Sequence, residues 1–193
     1  MKTIFQALLV IWLAILSTGK CLSPVDSNLY ATYDDNDLRK ELYYTAGTKG
    51  SKLFKGSYEG SSPYAKFSGL TVDEVYLMRA ECYARKNMIT EGLNDLNFLM
   101  EKRWRNNGTF NRFTADTKEK ALRFILAERR KELVYRGGLR WMDLRRLNLE
   151  NDTTTLIRRY NNTVYVLPPN SNRYVLPIPD QEILLNPMQQ NDR

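Results

Sequence analysis

The sequence predicts a mainly α-helical fold: a helical hairpin plus one further long helix, followed by a short β hairpin and a proline-rich tail. Three observations predict it. Two apolar-periodic runs, starting at Thr71 and Thr90, are separated by a short turn, which makes them an antiparallel helix pair. A third helical period starts at Ala121 and places Leu122, Ile125, Leu126, Leu133 and Val134 on one face. The end of the chain mixes β-prone runs with prolines, which exclude a central strand.

Residues 1–20 read as a signal peptide or apolar leader, with Lys2 ahead of an apolar run from Ile4 to Leu16 that only Gln6 interrupts. The run is too short to span a bilayer, which takes roughly 20 residues. Cys21 follows and is a candidate lipidation site, although Lys20 stands where a small residue normally precedes the cysteine. Residues 21–193 form the second division of the chain.

From Leu22 to Gly69 the composition is polar and rich in serine and tyrosine. Asp34, Asp35 and Asp37 invite a calcium reading, but the glycine and terminal glutamate of an EF-hand loop are missing. The favoured reading is an acidic N-cap for a short helix from Leu38 to Leu42. Short extended pieces are expected over Glu41–Tyr44 and Ser51–Tyr58.

Thr71 and Glu74 have capping-box spacing, and Val72, Val75, Tyr76, Met78, Ala80 and Tyr83 are expected to form the buried face of the first long helix. Thr90 is expected to cap the second, which buries Leu93, Leu96, Asn97, Leu99 and Met100. Gly92 inside that helix costs about 1 kcal/mol of propensity. One hairpin cannot bury both its faces, so it should lean on the helix from Ala121. Asp116 and Glu119 supply a capping box there, and Gly137-Gly138 should close it. Beyond the glycines stand Arg140, Trp141, Asp143, Arg145 and Arg146. With Glu128, Arg129 and Glu132 they are expected to act as ion pairs that pin the corner, with Trp141 packed on the tail. The last β-prone runs, Thr163–Leu167 and Arg173–Leu176, flank a turn at Pro168–Asn172.

Composition excludes much chemistry. Histidine is absent, which removes the commonest general base and zinc ligand and every Ser-His or Cys-His nucleophile. Two cysteines make neither a disulfide framework nor a zinc site, and no glycine-rich phosphate loop occurs. The formal charge is +7, but 22 acidic residues are interspersed among 29 basic ones, which argues against nucleic acid. The reading is of a protein that is not an enzyme, with no catalytic, metal or cofactor site.

The pattern Glu128-Arg129, Glu132-Leu133, then Arg140-Trp141-x-Asp143-Leu144-Arg145-Arg146 resembles the C-terminal signature of the SusD/RagB family. These are outer-membrane lipoproteins of the Bacteroidetes that capture nutrients, mostly glycans, for a TonB-dependent transporter. Asp34–Lys40 is similar to an internal family motif, and the helix pair after Thr71 resembles its last tetratricopeptide-like repeat. The segment from Pro177 to Asn191 resembles its closing motif. The resemblance covers about Pro24 to Asn191 and implies a truncated, C-terminal SusD-like region, since family members are much longer. It implies a nutrient-binding component of a TonB-dependent uptake system, exported to the outer membrane, with a SusC-like transporter and an oligosaccharide or other nutrient as partners. A lipid anchor at Cys21 would fit it. It carries no ligand contact onto any residue here. The other readings are a helical-hairpin interaction module without a glycan ligand, and a non-functional fragment.

Overall fold

The computed structural model describes residues 24–55, 69–150 and 154–193. The expected leader, Cys21 and the end of the extended piece at Tyr58 lie outside them. The chain divides into two compact units, one ending at Gly137 and one running from Gly138 to Arg193.

The first unit opens with two short helices, α1 (Ser27–Ala31) and α2 (Leu38–Leu42). Asp37 caps α2 as expected, its carboxylate accepting from the Arg39 amide at 3.0 Å. Strands β1 (Tyr44–Ala46) and β2 (Lys52–Phe54) then pair antiparallel, Thr45 opposite Leu53. Val25, Leu29, Tyr33 and Tyr44 form a small apolar core, with Phe54, Val134 and Tyr135 packed against it. Tyr33 and Tyr44 meet edge to face, 5.4 Å apart at 75°, an arrangement that matches positive ring edges to negative ring faces, whereas Phe54 stacks on Tyr135.

The predicted hairpin is α3 (Val72–Arg85) and α4 (Ile89–Glu101), and α5 (Lys118–Glu132) packs on it. α4 buries the residues expected of it, Leu93, Leu96, Asn97, Leu99 and Met100. Asn97 also fastens the following loop, bonding the Phe113 carbonyl at 3.0 Å and the Phe113 amide at 2.7 Å. Gly92 has a packing reason: a Cβ there would lie 2.9 Å from the Ala80 carbonyl oxygen and 3.3 Å from the Ala84 nitrogen. Only a bare backbone lets α3 and α4 approach this closely.

α3 corrects the expected apolar face. The residues turned inward are Leu77, Ala80 and Ala84 with Asp73, Glu74 and Glu81, whereas Val72 is 71% and Val75 53% exposed. The helix carries two apolar faces, and close packing selected the smaller side chains. Its cap differs as well. Thr71 occupies the N-cap position but makes no capping bond to the helix amides; its hydroxyl is engaged by Asp73 and Arg136. Thr90 lies inside α4, not at its cap.

α5 starts one residue later than the Asp116 reading places it, with Thr117 as N-cap accepting from the Lys120 amide at 3.3 Å. It also ends earlier. Leu133 is already the C-cap, and the turn beyond it puts Tyr135 at φ 58° and Gly137 at φ 45°. Leu133 is buried and Val134 half-buried, but both pack from the turn and not from the helix.

The second unit begins with α6 (Leu139–Leu147), a helix over the Trp141 segment. The β hairpin is real but differently paired. β3 (Leu156–Tyr160) joins β4 (Thr163–Leu167), with Arg158 opposite Tyr165 and Ile157 opposite Val166. Asn161 and Asn162, at φ 46° and 60°, supply the two left-handed residues of a two-residue hairpin turn. The expected second arm instead starts as a 3₁₀ turn, Asn172–Tyr174. A last short helix, α7 (Asp180–Leu185), follows Pro179. Gln190 and Asn191 tie the tail back on itself, Asn191 Nδ2 donating to the Leu176 carbonyl at 2.8 Å. Among the described residues no helix is long and apolar enough to cross a membrane.

Candidate functional site

The charged residues singled out in the sequence fall into two groups. Glu128, Arg129 and Glu132 sit on the buried side of α5, in the first unit. Spacing of four residues puts Glu128 and Glu132 on one helix face, one turn apart. Arg39 of α2 reaches both: its Nη2 donates to Glu128 at 2.6 Å and its Nη1 to Glu132 at 3.0 Å. The same guanidinium holds Asp37 through Nε and Nη2, at 2.9 and 2.6 Å. Arg39 and Glu132 are each 1% exposed. Burial alone would lower the Arg39 pKa, but the Asp37, Glu128 and Glu132 carboxylates hold it well above the usual guanidinium value.

The network extends outward from there. Arg103 donates to Glu132 at 2.8 Å. Arg136 binds Asp73 at 2.7 Å, and Arg129 lies 3.6 Å from Glu74. Burial would raise the Asp73 pKa, but its bonds from Arg136 and Thr71 hold it below the ordinary carboxylate value. Tyr33 sits at the network's apolar edge, its hydroxyl donating to the Lys131 carbonyl at 2.7 Å. A cluster of charges this enclosed and this mutually paired binds the chain to itself.

The second group lies in the other unit. The Trp141 ring sits 4.7 Å from Tyr174, and its Nε1 donates to the Tyr174 carbonyl at 3.3 Å. Asp143 is buried and accepts from Arg146 Nε at 2.9 Å, while Arg145 is exposed and Arg140 half-buried. Trp141 therefore packs on the segment that leads into the tail, and its ring is not an open platform.

Two surfaces of the described residues are open to a ligand. The first is the outward face of α3, where Leu70, Thr71, Val72, Val75, Tyr76 and Arg79 line a groove of about 350 Å³. Tyr76 stacks on Phe98 at 5.1 Å, and the Arg79 guanidinium lies 5.2 Å from the Tyr76 ring centre. Asp95 holds that guanidinium through two 2.7 Å bonds. Tyr76 is thus engaged by both neighbours, which leaves the groove mainly aliphatic and suited to apolar side chains. The second surface is the β3–β4 hairpin, whose strand residues other than Leu156 and Leu167 are all exposed. The sequence reading missed the first because it turned that face of α3 inward. It missed the second because it placed Leu156–Tyr160 in no strand.

The comparisons with known proteins fit this architecture. The family model of the SusD family matches residues 72–192, well over half the chain. No curated protein matches it. Among solved structures, a SusD-like carbohydrate binding protein from Bacteroides vulgatus ATCC 8482 is similar, with a TM-score of 0.54 at 22% identity. The alignment covers 89% of this chain and 43% of that one. A second Bacteroides vulgatus ATCC 8482 protein, named for sugar binding, matches with a TM-score of 0.59 at 23% identity, over 86% of this chain and 37% of that one. At these identities the likeness is one of fold, and this chain spans less than half the length of either structure. On the match from Val72 to Asp192, the chain belongs to the SusD family.

Proposed function

We propose that this chain is a nutrient-binding component of a TonB-dependent outer-membrane uptake system, with an oligosaccharide as its ligand and a SusC-like transporter as its partner. It binds and does not catalyse. The observation that carries the reading is the family match over residues 72–192. The fold shared with a protein named for carbohydrate binding supports it. The buried pairing of Arg39, Glu128 and Glu132 supports it too, because it assigns the charged signature to the scaffold and leaves ligand contact to the outer surfaces. Export by residues 1–20 and a lipid anchor at Cys21 complete the proposal. The test is calorimetric titration of the purified chain with neutral and anionic oligosaccharides, alongside a thermal melt. A chain that melts cooperatively and binds no oligosaccharide overturns the reading.

The groove on α3 favours a second reading, a helical-hairpin module used for protein contact alone. Val72, Val75, Tyr76 and Arg79 recur at helical spacing on its open face, the pattern by which an amphipathic partner helix is held. Retention of a SusC-like transporter on the immobilised chain, with no glycan affinity, would select this reading over the first.

A further inference from the structure

The β3–β4 hairpin presents an aromatic face that no other described residue bonds or stacks on. Paired residues of an antiparallel ladder share a face, so the register puts Arg158, Tyr160 and Tyr165 on one side. Ile157, Arg159, Val164 and Val166 take the other. Tyr165 stands directly across from Arg158 and diagonal to Tyr160, about 7 Å away by strand geometry. Tyr160 is 61% and Tyr165 55% exposed. Among the described residues, the side chains of Arg158, Tyr160 and Tyr165 enter no hydrogen bond, ion pair or ring contact. Among the described residues Tyr33, Tyr43, Tyr44 and Tyr174, by contrast, each have a ring partner.

A two-stranded hairpin is marginally stable alone in water, so holding two rings outward contributes little to its own stability. Rigid tyrosine rings do offer large contact area at a small entropic cost. The C–H face of a pyranose lies against such a ring, and the phenol oxygens serve the sugar hydroxyls. The charge next to the rings narrows the ligand. Among the described residues neither Arg158 nor Arg159, on the reverse face, has an ion-pair partner, and neither strand carries a carboxylate. A guanidinium fork matches a carboxylate or a sulfate through two parallel bonds.

We infer that the Tyr160–Tyr165 face with Arg158 is a binding platform for an anionic oligosaccharide, carboxylated or sulfated. This rests on the glycan-binding reading above and adds to it both a site and a charge preference.

The test is calorimetry on the full chain with an oligogalacturonate, a sulfated oligosaccharide and a neutral malto-oligosaccharide. Tyr165→Ala and Tyr160→Ala should each weaken the anionic ligand at least tenfold. Arg158→Gln should abolish the preference over the neutral ligand, and raised salt should do the same to the unaltered chain. Val164→Thr, on the opposite face, should change nothing. Retained cross-strand amide contacts between Arg158 and Tyr165 in nuclear magnetic resonance spectra establish that each variant keeps the hairpin. The relative affinity for the carboxylated and sulfated ligands identifies which anion the fork prefers. Glycan binding that survives all three platform variants overturns the inference and leaves the glycan reading standing. A chain that binds none of the three ligands overturns both. Hairpin variants that lose only transporter binding overturn it in favour of a protein-docking role.

Discussion

Arg39 and Glu132, 93 residues apart in sequence, meet in a buried ion pair at 3.0 Å. Through this contact the Asp34–Lys40 motif and the Glu128–Glu132 pattern, read separately in the sequence, become parts of one structure. The guanidinium joins Asp37, Glu128 and Glu132 at once, so its removal strands several carboxylates in a place where water cannot reach them.

Arg39→Met should therefore destabilise the first unit by about 3–5 kcal/mol, the range for breaking a buried pair from one side. Arg39→Lys should recover only part of this, because one ammonium cannot present the fork that bridges Glu128 and Glu132, one turn apart on α5. Urea denaturation midpoints measure both.

Gly92→Ala sets two effects against each other. Helix propensity favours alanine by about 1 kcal/mol. The new methyl would meet the Ala80 carbonyl oxygen at 2.9 Å, and backbone cannot give way as a side-chain tip can. Overpacking of this kind costs about 1–3 kcal/mol, so the variant should be less stable than the parent. A lowered melting temperature in circular dichroism is the expected result.

Titration should destabilise the chain from both ends. Burial, opposed by the Tyr33 hydrogen bond, pushes the Tyr44 hydroxyl from 10.0 up to about 12, and burial raises Tyr33 and Tyr43 as well. Raised values mean that folding favours the neutral phenols. The Tyr44 contribution is complete below pH 10 and is lost as the pH rises toward 12, while those of Tyr33 and Tyr43 persist to higher pH. Asp73 runs the opposite way, with its value held below 3.8. Its contribution is complete above that pH and disappears on further acidification. Tyrosinate absorbance followed beside far-ultraviolet circular dichroism should show the buried phenols ionising together with unfolding.

The hairpin turn offers a local test. Asn161 and Asn162 hold φ values of 46° and 60°, a conformation that β-branched residues resist. Asn162→Val should cost about 1–2 kcal/mol of hairpin stability, and Asn162→Gly should be neutral or slightly stabilising. Loss or retention of the cross-strand amide pattern between β3 and β4 reports the outcome.

Much of the helical skeleton was legible in the sequence because helical periodicity is local. α4 is the clearest case: Leu93, Leu96, Leu99 and Met100 repeat on one face and bury on that face. α3 defeated the same logic, because Leu77-Ala80-Ala84 and Val72-Val75-Tyr76 are both apolar stripes. Which one faces inward depends on how near α4 can come, and Gly92 decides that from another element. The hairpin pairing failed for a related reason. Leu156–Tyr160 contains two arginines and alternates weakly, while the turn signal in Asn161-Asn162 is shared with ordinary polar loops. Of the candidate sites, the signature charges were visible as a group, but their division between two units was not. The partner that Glu128 and Glu132 share is Arg39, and no short-range pattern points across that distance.

The three-carboxylate hold on Arg39 also limits how the protein can be trimmed. The family match begins at Val72, which invites excision there for crystallisation or for grafting onto another protein. A piece cut at that residue keeps all three long helices of the first unit and loses α2, leaving Glu128 and Glu132 without Arg39. Arg103 would remain on Glu132 and Lys131 on Glu128. Such a fragment should expose this face of α5 to solvent and be less stable than a piece that keeps α2. A piece that keeps the network intact must include Asp37 and Arg39, well upstream of the family boundary.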